Sequence, residues 1–353
     1  MIQPSTLGPT PEPAPTSAAG RNSHGPTIRI ALAGCGTVGG ALVRLLRERE
    51  RSIRRRHGIR FDVVRVLVRD ARRPRDVALA ADRFTTDPDA FLATESDIVV
   101  EATGGPEPAG RIARAALTAG RSFVTANKAL VAAAGAELDA LARRHRAGFA
   151  FEAAVGGGVP VIRTLRDALA ETEVRSIRGV LNGTTNFILS RLHDGARFDA
   201  ALADAQRLGF AEADPSRDLD GRDAADKIRI LAWLAFGVDP ATVTVERRGI
   251  LPDPDRIAAD ARAQGLVPRL VARCVRTDAG AAAVVEPVAL PPDAPLALAR
   301  GAENVVEIET RWNGTVRLSG PGAGGAPTAS AVLGDVMEAA VRRATEHRGE
   351  ARP

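Results

Sequence analysis

Residues 27–50 read TIRIALAGCGTVGGALVRLLRERE, and this stretch predicts the architecture of the first part of the chain. A short apolar strand, Ile28–Ala33, runs into a glycine turn of the form GxGxxG at 34–39. A helical pattern follows at Gly40–Glu50. Strand, glycine turn and helix in this order are typical of a unit that binds a dinucleotide.

The glycine turn carries the residues predicted to meet that dinucleotide. Gly34 makes the tight turn, Gly36 lets the backbone approach the pyrophosphate, and Gly39 lets the helix pack on the strand. The amino end of the helix, at Thr37 and Val38, then faces the phosphates.

The second predicted strand, Phe61–Val68, ends at an arginine and an aspartate that favour different cofactors. Arg69 suits the 2′-phosphate of NADP, because a guanidinium meets a phosphate with two hydrogen bonds. Asp70 suits the free ribose hydroxyl of NAD. We expect NADP to be preferred and NAD to be accepted, with the alternative that Asp70 holds the ribose and Arg69 only flanks it.

Further strands and helices alternate along the chain, which predicts a parallel sheet with ligands at the carboxyl ends of its strands. A buried strand spans Ser96–Gly105, a helix spans Arg111–Ala119, and SFVTANKAL forms the next strand and turn. Thr103, with Gly104 beside it, and Lys128 lie at such strand ends and are predicted to contact the cofactor.

The stretch GFAEADPSRDLDGRDAADK, Gly209–Lys227, predicts the chemistry. The chain has 48 Lys plus Arg, of which only Lys128 and Lys227 are lysines. Arginine stays protonated, whereas a buried lysine can exchange a proton. Asp223 and Lys227 share one face of the helix that follows. We therefore predict proton transfer by Lys227, against the alternative of a surface ion pair.

The second half of the chain predicts a smaller mixed unit. We expect strands at Arg175–Leu181, 284–288 and 305–310, with Asn313-Gly314 as the two-residue turn of a hairpin. A second glycine-rich loop, Gly320–Gly325, precedes a helix at Thr328–Arg343.

Composition limits the class of protein. The 353 residues suffice for two domains, and two cysteines, Cys35 and Cys274, provide no disulfide framework. No apolar run is long enough to cross a membrane, and the scarcity of aromatic residues, at 3%, argues against nucleic acid despite a net charge of +5. We expect a cytoplasmic protein divided into a disordered tail (1–26), a dinucleotide-binding domain (27–150), a substrate domain (151–317), a segment returning to the first domain (318–345) and a second tail (346–353).

Taken together, these motifs make the chain resemble homoserine dehydrogenase from about residue 28 to 343. The motifs that carry the resemblance are GCGTVG (34–39), TANKAL (125–130), FEAAVGGGVP (151–160), VLNGTTNFIL (180–189), the stretch 209–227, and GPGAGG (320–325). The resemblance implies an α/β fold, a Rossmann-type doubly wound parallel sheet with a second α+β catalytic and dimerisation domain. It also implies the reversible, NAD(P)H-dependent reduction of L-aspartate 4-semialdehyde to L-homoserine in threonine, methionine and isoleucine synthesis.

The same resemblance implies roles for individual residues. Lys227 is the proton donor to the aldehyde oxygen, Asp223 orients it, and Lys128 lies beside the nicotinamide and the substrate. The substrate's polar groups are held by Glu212 and Asp218. Further contacts are implied for Gly183 and Thr184 with the substrate, and for Gly322 with the cofactor.

A monovalent cation and a homodimer are also implied by the resemblance. The cation, usually sodium, is held by Glu152 and the carbonyls of Val155, Gly157 and Val159, and family members dimerise through a sheet of the second domain. Many relatives continue into a regulatory amino-acid-binding domain. Because this sequence stops at Pro353, we expect little inhibition by threonine.

Two other functions fit the residues. One is another NAD(P)-dependent reductase of an amino-acid semialdehyde or imine, which an assay of homoserine against other amino alcohols distinguishes. The other is a catalytically inactive dinucleotide sensor, against which the two lysines argue, because a sensor needs no group that exchanges protons.

Overall fold

Two six-stranded sheets and the helices on their faces make up the fold. The computed structural model of the chain describes residues 25–105 and 107–350. The strands are β1 (Thr27–Ala33), β2 (Arg60–Leu67), β3 (Phe84–Thr85), β4 (Ile98–Glu101), β5 (Ser122–Thr125), β6 (Phe149–Ala150), β7 (Val174–Val180), β8 (Val245–Arg247), β9 (Val267–Thr277), β10 (Gly280–Leu290), β11 (Glu303–Thr310) and β12 (Thr315–Pro321).

The helices alternate with the strands in the first half and cluster in the second. They are α1 (Thr37–His57), α2 (Pro88–Ala93), α3 (Ala109–Thr118), α4 (Lys128–Arg144), α5 (Val161–Arg163, continued by a π-helical turn at Thr164–Ala168), α6 (Gly183–His193), α7 (Phe198–Arg207), α8 (Ser216–Leu219), α9 (Arg222–Phe236), α10 (Pro254–Ala263) and α11 (Gly325–Glu350).

The first sheet is entirely parallel, in the order β3-β2-β1-β4-β5-β6. Helices α1 and α11 cover one face, where Ile30 and Leu32 of β1 pack with Val332 and Val336. Helices α3 and α4 cover the other face. The strand order reverses between β1 and β4, and ligands bind at such a switch point in open α/β sheets. The predicted doubly wound parallel sheet is therefore confirmed.

The second sheet is mixed, in the order β12-β11-β7-β9-β10-β8. Its strands pair antiparallel except β8 with β10. Helices α6, α9 and α10 pack against one face, to which Ile177, Ala272 and Ile308 contribute. This is the second α+β unit that the sequence predicted.

An aromatic row links the two sheets. Phe149 of β6 lies 4.9 Å from Phe151, whose ring stacks at 5.5 Å on Trp233 of α9. Phe151 is fully buried. The core therefore continues from the parallel sheet to the helix that carries Lys227, and this helix has a fixed position relative to the parallel sheet.

Several helices and strands begin or end at residues other than those predicted. Helix α1 continues past Glu50, the predicted end of the helical pattern, to His57, and ends at Gly58 in the left-handed region. The strand predicted at 96–105 covers only Ile98–Glu101. Strand β9 was not predicted, because arginines interrupt its apolar pattern.

The hairpin and the predicted tails also differ from expectation. The loop between β11 and β12 has four residues, 311–314, because Thr310 donates its amide to the carbonyl of Gly314. Pro26 was predicted to belong to the first tail. Its carbonyl accepts a hydrogen bond from the amide of Arg60, so the pairing of β1 with β2 extends back to Pro26. Helix α11 extends to Glu350 and includes residues predicted as the second tail. Residues 1–24 and 351–353 lie outside the described residues, and the predicted domain boundaries stay a prediction.

No helix in the described part of the chain is both long enough and apolar enough to span a bilayer.

Candidate active site

The three glycines of the first turn differ in what surrounds them. A Cβ on Gly34 would lie 2.5 Å from the carbonyl oxygen of Ala102, and one on Gly39 would lie 2.0 Å from that of Gly34. A Cβ on Gly36 would meet nothing within 4 Å. Gly34 and Gly39 are therefore required by packing, whereas Gly36 leaves open space.

The open space lies at the start of α1. Gly36 caps this helix and has no side chain that could accept hydrogen bonds, and no side chain among the described residues accepts a hydrogen bond from the amides at Thr37 and Val38. A helix amino end with unoccupied amides attracts phosphate. The residues present therefore fit the pyrophosphate of a dinucleotide.

A buried glutamate organises the neighbouring strand ends. Glu101, the last residue of β4, is 0% exposed and accepts hydrogen bonds from the Thr103 amide (2.7 Å), the Thr103 hydroxyl (2.6 Å) and the Thr125 hydroxyl (2.5 Å). Asn127 donates to the carbonyl of Gly105 and caps α4 through the amide of Leu130. This chain of hydrogen bonds places Lys128, the first residue of α4, at the edge of the site.

Both lysines bind one carboxylate. Asp223 Oδ2 lies 2.8 Å from Lys227 Nζ, and Asp223 Oδ1 lies 3.0 Å from Lys128 Nζ. The side chains of Lys227 and Asp223 are 10% and 6% exposed, whereas that of Lys128 is 36% exposed. The buried position of Lys227 excludes the surface ion pair considered from the sequence.

Burial alone would raise the pKa of Asp223. The two ammonium groups and hydrogen bonds from Lys227 and Asn182 outweigh burial and hold that pKa far below its usual range. The same Asp223 carboxylate raises the pKa of Lys128. Asp223 therefore stays ionised and keeps both lysines close.

A second carboxylate is held beside the first. Asn182 donates from Nδ2 to Asp218 Oδ1 (2.7 Å) and to Asp223 Oδ2 (2.8 Å). Thr184 donates its hydroxyl to the carbonyl of Phe210 (2.6 Å), and that hydroxyl also lies 3.2 Å from Asp218 Oδ2. Burial and the negative charge of Asp223 raise the pKa of Asp218.

The remaining substrate residues of the sequence prediction lie differently. Gly183 begins α6, and a Cβ there would lie 2.7 Å from the carbonyl oxygen of Ala302, so its role in the folded protein is close packing. The Glu212 side chain is exposed on the loop before α8, so the structure does not bring it into the Lys227–Asp223 centre. Lys227, Asp223, Lys128, Asp218 and Thr184 are brought together.

The second glycine-rich segment lies close to the site. Gly320 and Pro321 belong to β12, so the loop consists of residues 322–324, which we call the return loop. A Cβ on Gly157 would lie 2.7 Å from the carbonyl of Gly322, and one on Gly322 would lie 2.0 Å from the Asn304 side chain. The return loop is therefore packed between Gly157 and Asn304.

The predicted cation ligands lie in one tight segment. Gly156 and Gly157 have φ of 75° and 56°, and the carbonyl of Val159 accepts the amide of Val161. The carboxylate of Glu152 accepts the amides of Ile162 (2.9 Å) and Arg163 (2.8 Å), and burial raises its pKa. The carboxylate thus has hydrogen-bond partners of its own, and backbone carbonyls remain as the oxygen donors for an ion. The described residues include no group of three or more His, Cys, Asp or Glu that could hold a metal ion.

The end of β2 modifies the expectation for Arg69 and Asp70. The strand stops at Leu67, so Arg69 and Asp70 lie in the segment after the strand. Both side chains are exposed. Asp70 Oδ1 accepts the amide of Arg72 at 2.8 Å, which turns this carboxylate toward its own loop. Within the described residues, no ion pair involves Arg69.

Three buried residues of the site were not predicted as functional. Glu101 was indistinguishable from the polar end of a strand, and Asn304 stood in an apolar strand pattern. Asn182 caps α6, since its side chain accepts the amide of Thr185 at 2.8 Å, and this local role does not reveal its bonds to the two carboxylates. Asparagine next to a glycine-threonine pair was the one available signal.

These observations define the class of protein. A parallel sheet with an open glycine turn at its switch point, next to a buried lysine–aspartate centre, is an NAD(P)-dependent oxidoreductase site. A family model described as homoserine dehydrogenase, NAD binding domain matches residues 34–152, and one described as homoserine dehydrogenase matches residues 160–337. The chain belongs to the homoserine dehydrogenase family.

Relatives support this assignment over most of the chain. A homoserine dehydrogenase of Corynebacterium glutamicum is 42% identical over 323 residues, covering 90% of this chain and 72% of the relative. One of Synechocystis is also 42% identical, covering 88% of this chain and 73% of the relative. The chain thus spans about three quarters of the length of these relatives.

Solved structures agree with the sequence relatives. A homoserine dehydrogenase of Thiobacillus denitrificans superposes with a TM-score of 0.83 at 39% identity, covering 94% of this chain and 77% of that one. A hyperthermophilic archaeal homoserine dehydrogenase in complex with NADPH gives 0.77 at 32% identity, covering 90% and 98%. The enzymatic activity is accordingly that of an NAD(P)-dependent homoserine dehydrogenase.

The glycine turn leads to a first prediction. Gly36→Val should leave the fold intact, because its side chain enters open space, but should block the dinucleotide and raise the KM for NADPH about tenfold or more. Thermal unfolding and steady-state kinetics measure the two effects. Gly39→Ala is the matched control, since its Cβ meets backbone, and it should lower the Tm. An unchanged KM for NADPH in Gly36→Val would contradict the cofactor assignment of this turn.

Proposed function

We propose that Lys227 exchanges the proton in the interconversion of L-aspartate 4-semialdehyde and L-homoserine. The observation that supports this role is that the Lys227 ammonium is buried and held by Asp223 at 2.8 Å and by the carbonyl of Leu181 at 2.6 Å. Bound NAD(P)H supplies the hydride. In reduction Lys227 gives its proton to the aldehyde oxygen, and in oxidation it takes the hydroxyl proton.

Asp223 and Lys128 support this role from two sides. Asp223 fixes the direction of the Lys227 ammonium, and Lys128 extends the positive charge toward the cofactor side of the site. Both ammonium groups meet the carboxylate within 3.0 Å. We place Lys128 beside the nicotinamide and the substrate, where its partly exposed side chain is available to a ligand.

Asp218, Thr184 and Glu212 form the proposed substrate side, with the backbone at Gly183. Asp218 is only partly exposed and lies next to the like-charged Asp223, which makes an ammonium or hydroxyl of the substrate a favourable partner. Glu212 is exposed, so its carboxylate is available to the amino group of an incoming substrate. This arrangement favours a substrate that carries an ammonium group, as homoserine does.

NADP is the cofactor we propose to be preferred, with NAD accepted. The proposal is supported by the engagement of Asp70 with the amide of Arg72 and by the exposed Arg69 beside it. Thr103, Gly104 and the return loop at Gly322 complete the proposed cofactor contacts. Gly104 has φ of 74° and open space at its Cβ position.

A monovalent cation, usually sodium in this family, is proposed at the carbonyls of Val155, Gly157 and Val159 with Glu152. Carbonyl oxygens are hard donors that suit such an ion. The support is that Gly156 and Gly157 have positive φ and that the amide of Val159 donates to the carbonyl of Gly156 at 2.9 Å, so the backbone turns tightly in this segment. No step of the proposed chemistry depends on the ion.

A homodimer is proposed through the face of the second sheet that points away from α6 and α9. That face carries Glu307, which is 3% exposed and pairs with Arg178 at 2.7 Å and Arg317 at 2.8 Å. At the tip of the adjoining hairpin Trp312 is 71% exposed. Protein interfaces are enriched in tryptophan and arginine, so the exposed Trp312 beside the partly exposed Arg178 and Arg317 favours contact with a second copy.

Lys227→Arg tests the proton-transfer role. Arginine keeps the positive charge but does not release a proton, so kcat for homoserine oxidation should fall by about 10²–10⁴-fold. NADPH binding, followed by fluorescence titration, should stay close to the parent. Turnover close to that of the parent would contradict the assignment of Lys227.

Asp218→Asn tests whether Asp218 contributes to substrate binding or only to the stability of the fold. The folded protein binds a proton at Asp218 more tightly than the unfolded chain does, so the ionised carboxylate destabilises the fold at neutral pH. A neutral amide should therefore preserve or raise the Tm, by about 2–4 °C per kcal/mol gained. The KM for homoserine should rise about tenfold or more, because a charged hydrogen-bond partner is lost.

Scanning calorimetry without substrate and homoserine saturation curves give these two quantities. A lower Tm with an unchanged KM would show that Asp218 is a structural residue only.

Arg69→Ala tests the cofactor proposal. Loss of a charge-assisted contact should raise the KM for NADPH about tenfold and leave the KM for NADH within about twofold. Asp70→Asn is the control, and it should leave both constants close to the parent. Equal rises with the two cofactors would remove Arg69 from the 2′-phosphate site.

A further inference from the structure

Asn304 lies on the inner face of the second sheet, at the edge where β7 ends and β11 begins. It is the second residue of β11 and is 0% exposed. Val305 pairs with Val180 of β7, so Asn304 lies beside Leu181, the first residue after that strand. Its side chain therefore faces the helices of the active site.

The Asn304 amide shares a hydrogen-bond acceptor with the proton-transfer lysine. Asn304 donates from Nδ2 to the carbonyl oxygen of Leu181 at 3.1 Å, and Lys227 Nζ donates to the same oxygen at 2.6 Å. A carbonyl has two lone pairs and can accept both bonds. The Leu181 carbonyl is therefore held by Asn304 and by Lys227. If Asn304 moves, the carbonyl turns, and the direction of its hydrogen bond with Lys227 changes.

The other end of the amide meets the return loop. The Oδ1 atom of Asn304 is buried and has no hydrogen-bond partner among the described residues. It lies 2.0 Å from the position that a Cβ on Gly322 would occupy. Only a glycine fits at 322 while Asn304 keeps this conformation, so the amide is fixed between the return loop and Leu181.

We propose that Asn304 is a positioning residue for the reaction, which sets the Leu181 carbonyl toward Lys227 and links it to the return loop. This proposal rests on the proton-transfer role proposed for Lys227. Because Gly322 of the return loop packs against Asn304, the position of this loop affects the direction of the Lys227 ammonium. No hydrogen-bond partner explains Oδ1, and an unpaired buried acceptor costs stability, so packing alone gives no reason for an amide here.

Asn186 provides a matched control in the same unit. It is also 0% exposed, its Nδ2 donates to the carbonyls of Gly301 (2.9 Å) and Ala299 (3.4 Å), and its Oδ1 has no partner among the described residues. These two acceptors differ from the polar partners of Lys227, which are the Leu181 carbonyl and Asp223. Loss of a buried amide should thus be felt equally by the fold at both positions, but only Asn304 should affect the reaction.

Asn304→Ala should lower kcat for homoserine oxidation on the order of tenfold, a part of the roughly 10²–10⁴-fold that an acid–base group contributes. The KM for NADP should change less than about twofold, within the ordinary scatter of such contacts. Asn304→Asp puts a carboxylate beside Lys227 that favours the ammonium form. It should move the pH profile of kcat toward higher pH. Asn186→Ala should leave both kcat and the profile close to the parent.

Gly322→Ala provides a second route to the same effect. Its Cβ would displace the Asn304 amide, so the variant should reproduce the loss of kcat, and the double variant with Asn304→Ala should lose little more. If Asn304→Ala is insoluble, Asn304→Ser retains a donor, and its kcat should lie between those of the parent and Gly322→Ala.

The proposal is overturned if the Asn304 and Asn186 variants have the same kcat and pH profile, or if the effects of Gly322→Ala and Asn304→Ala multiply. Lys227→Arg distinguishes this failure from failure of the underlying role. Full turnover in that variant rejects proton transfer by Lys227, whereas an inactive Lys227→Arg with unaffected Asn304 variants rejects only the positioning role.

Discussion

The carboxylate of Asp223 between two ammonium groups is the interaction on which the site depends. Lys227 is on the same helix as Asp223, but Lys128 begins α4, which packs on the parallel sheet. Removing one partner of a buried ion pair costs about 3–5 kcal/mol, because a charge is left without compensation. The same contact therefore holds the charges of the site and ties the dinucleotide-binding sheet to the catalytic helix.

Apolar packing makes this arrangement rigid. Helices α4 and α9 approach so closely that a Cβ on Gly135 would lie 2.7 Å from the ring of Trp233. On its other side that ring stacks on Phe151. The charged centre is thus carried by helices whose separation is fixed by aromatic contacts, and the low local dielectric strengthens each ionic contact within it.

The site also contains a repulsion between two carboxylates that makes the binding of a positively charged group more favourable. Asp218 and Asp223 carry like charges and are held together by the amide of Asn182. Their repulsion and burial raise the pKa of Asp218. In the proposed function, the ammonium group of the substrate relieves this repulsion, which would convert part of the cost of keeping two carboxylates together into binding affinity.

Much of the dinucleotide turn and of the catalytic helix could be read from the sequence, because the relevant contacts are local. The positions of Gly34, Gly36 and Gly39 follow from one strand–turn–helix unit, and the contact between Asp223 and Lys227 follows from helical spacing. The scarcity of lysine drew attention to Lys128 and Lys227. The chemical roles assigned to these residues, as well as to Glu212, Arg69 and the cation ligands, stay predictions.

The tertiary structure alone decided which distant residues meet. The sequence placed Lys128 near the cofactor, but nothing in it showed that Lys128 and Lys227 bind the same carboxylate. Nor did it show that Asn304 shares the Leu181 carbonyl with Lys227, or that Gly322 must be glycine because an asparagine amide fills its Cβ position. Local patterns fix φ, ψ and the face of a helix. Contacts between β11, the end of β7 and α9 depend on the strand order of a sheet, which no local pattern specifies.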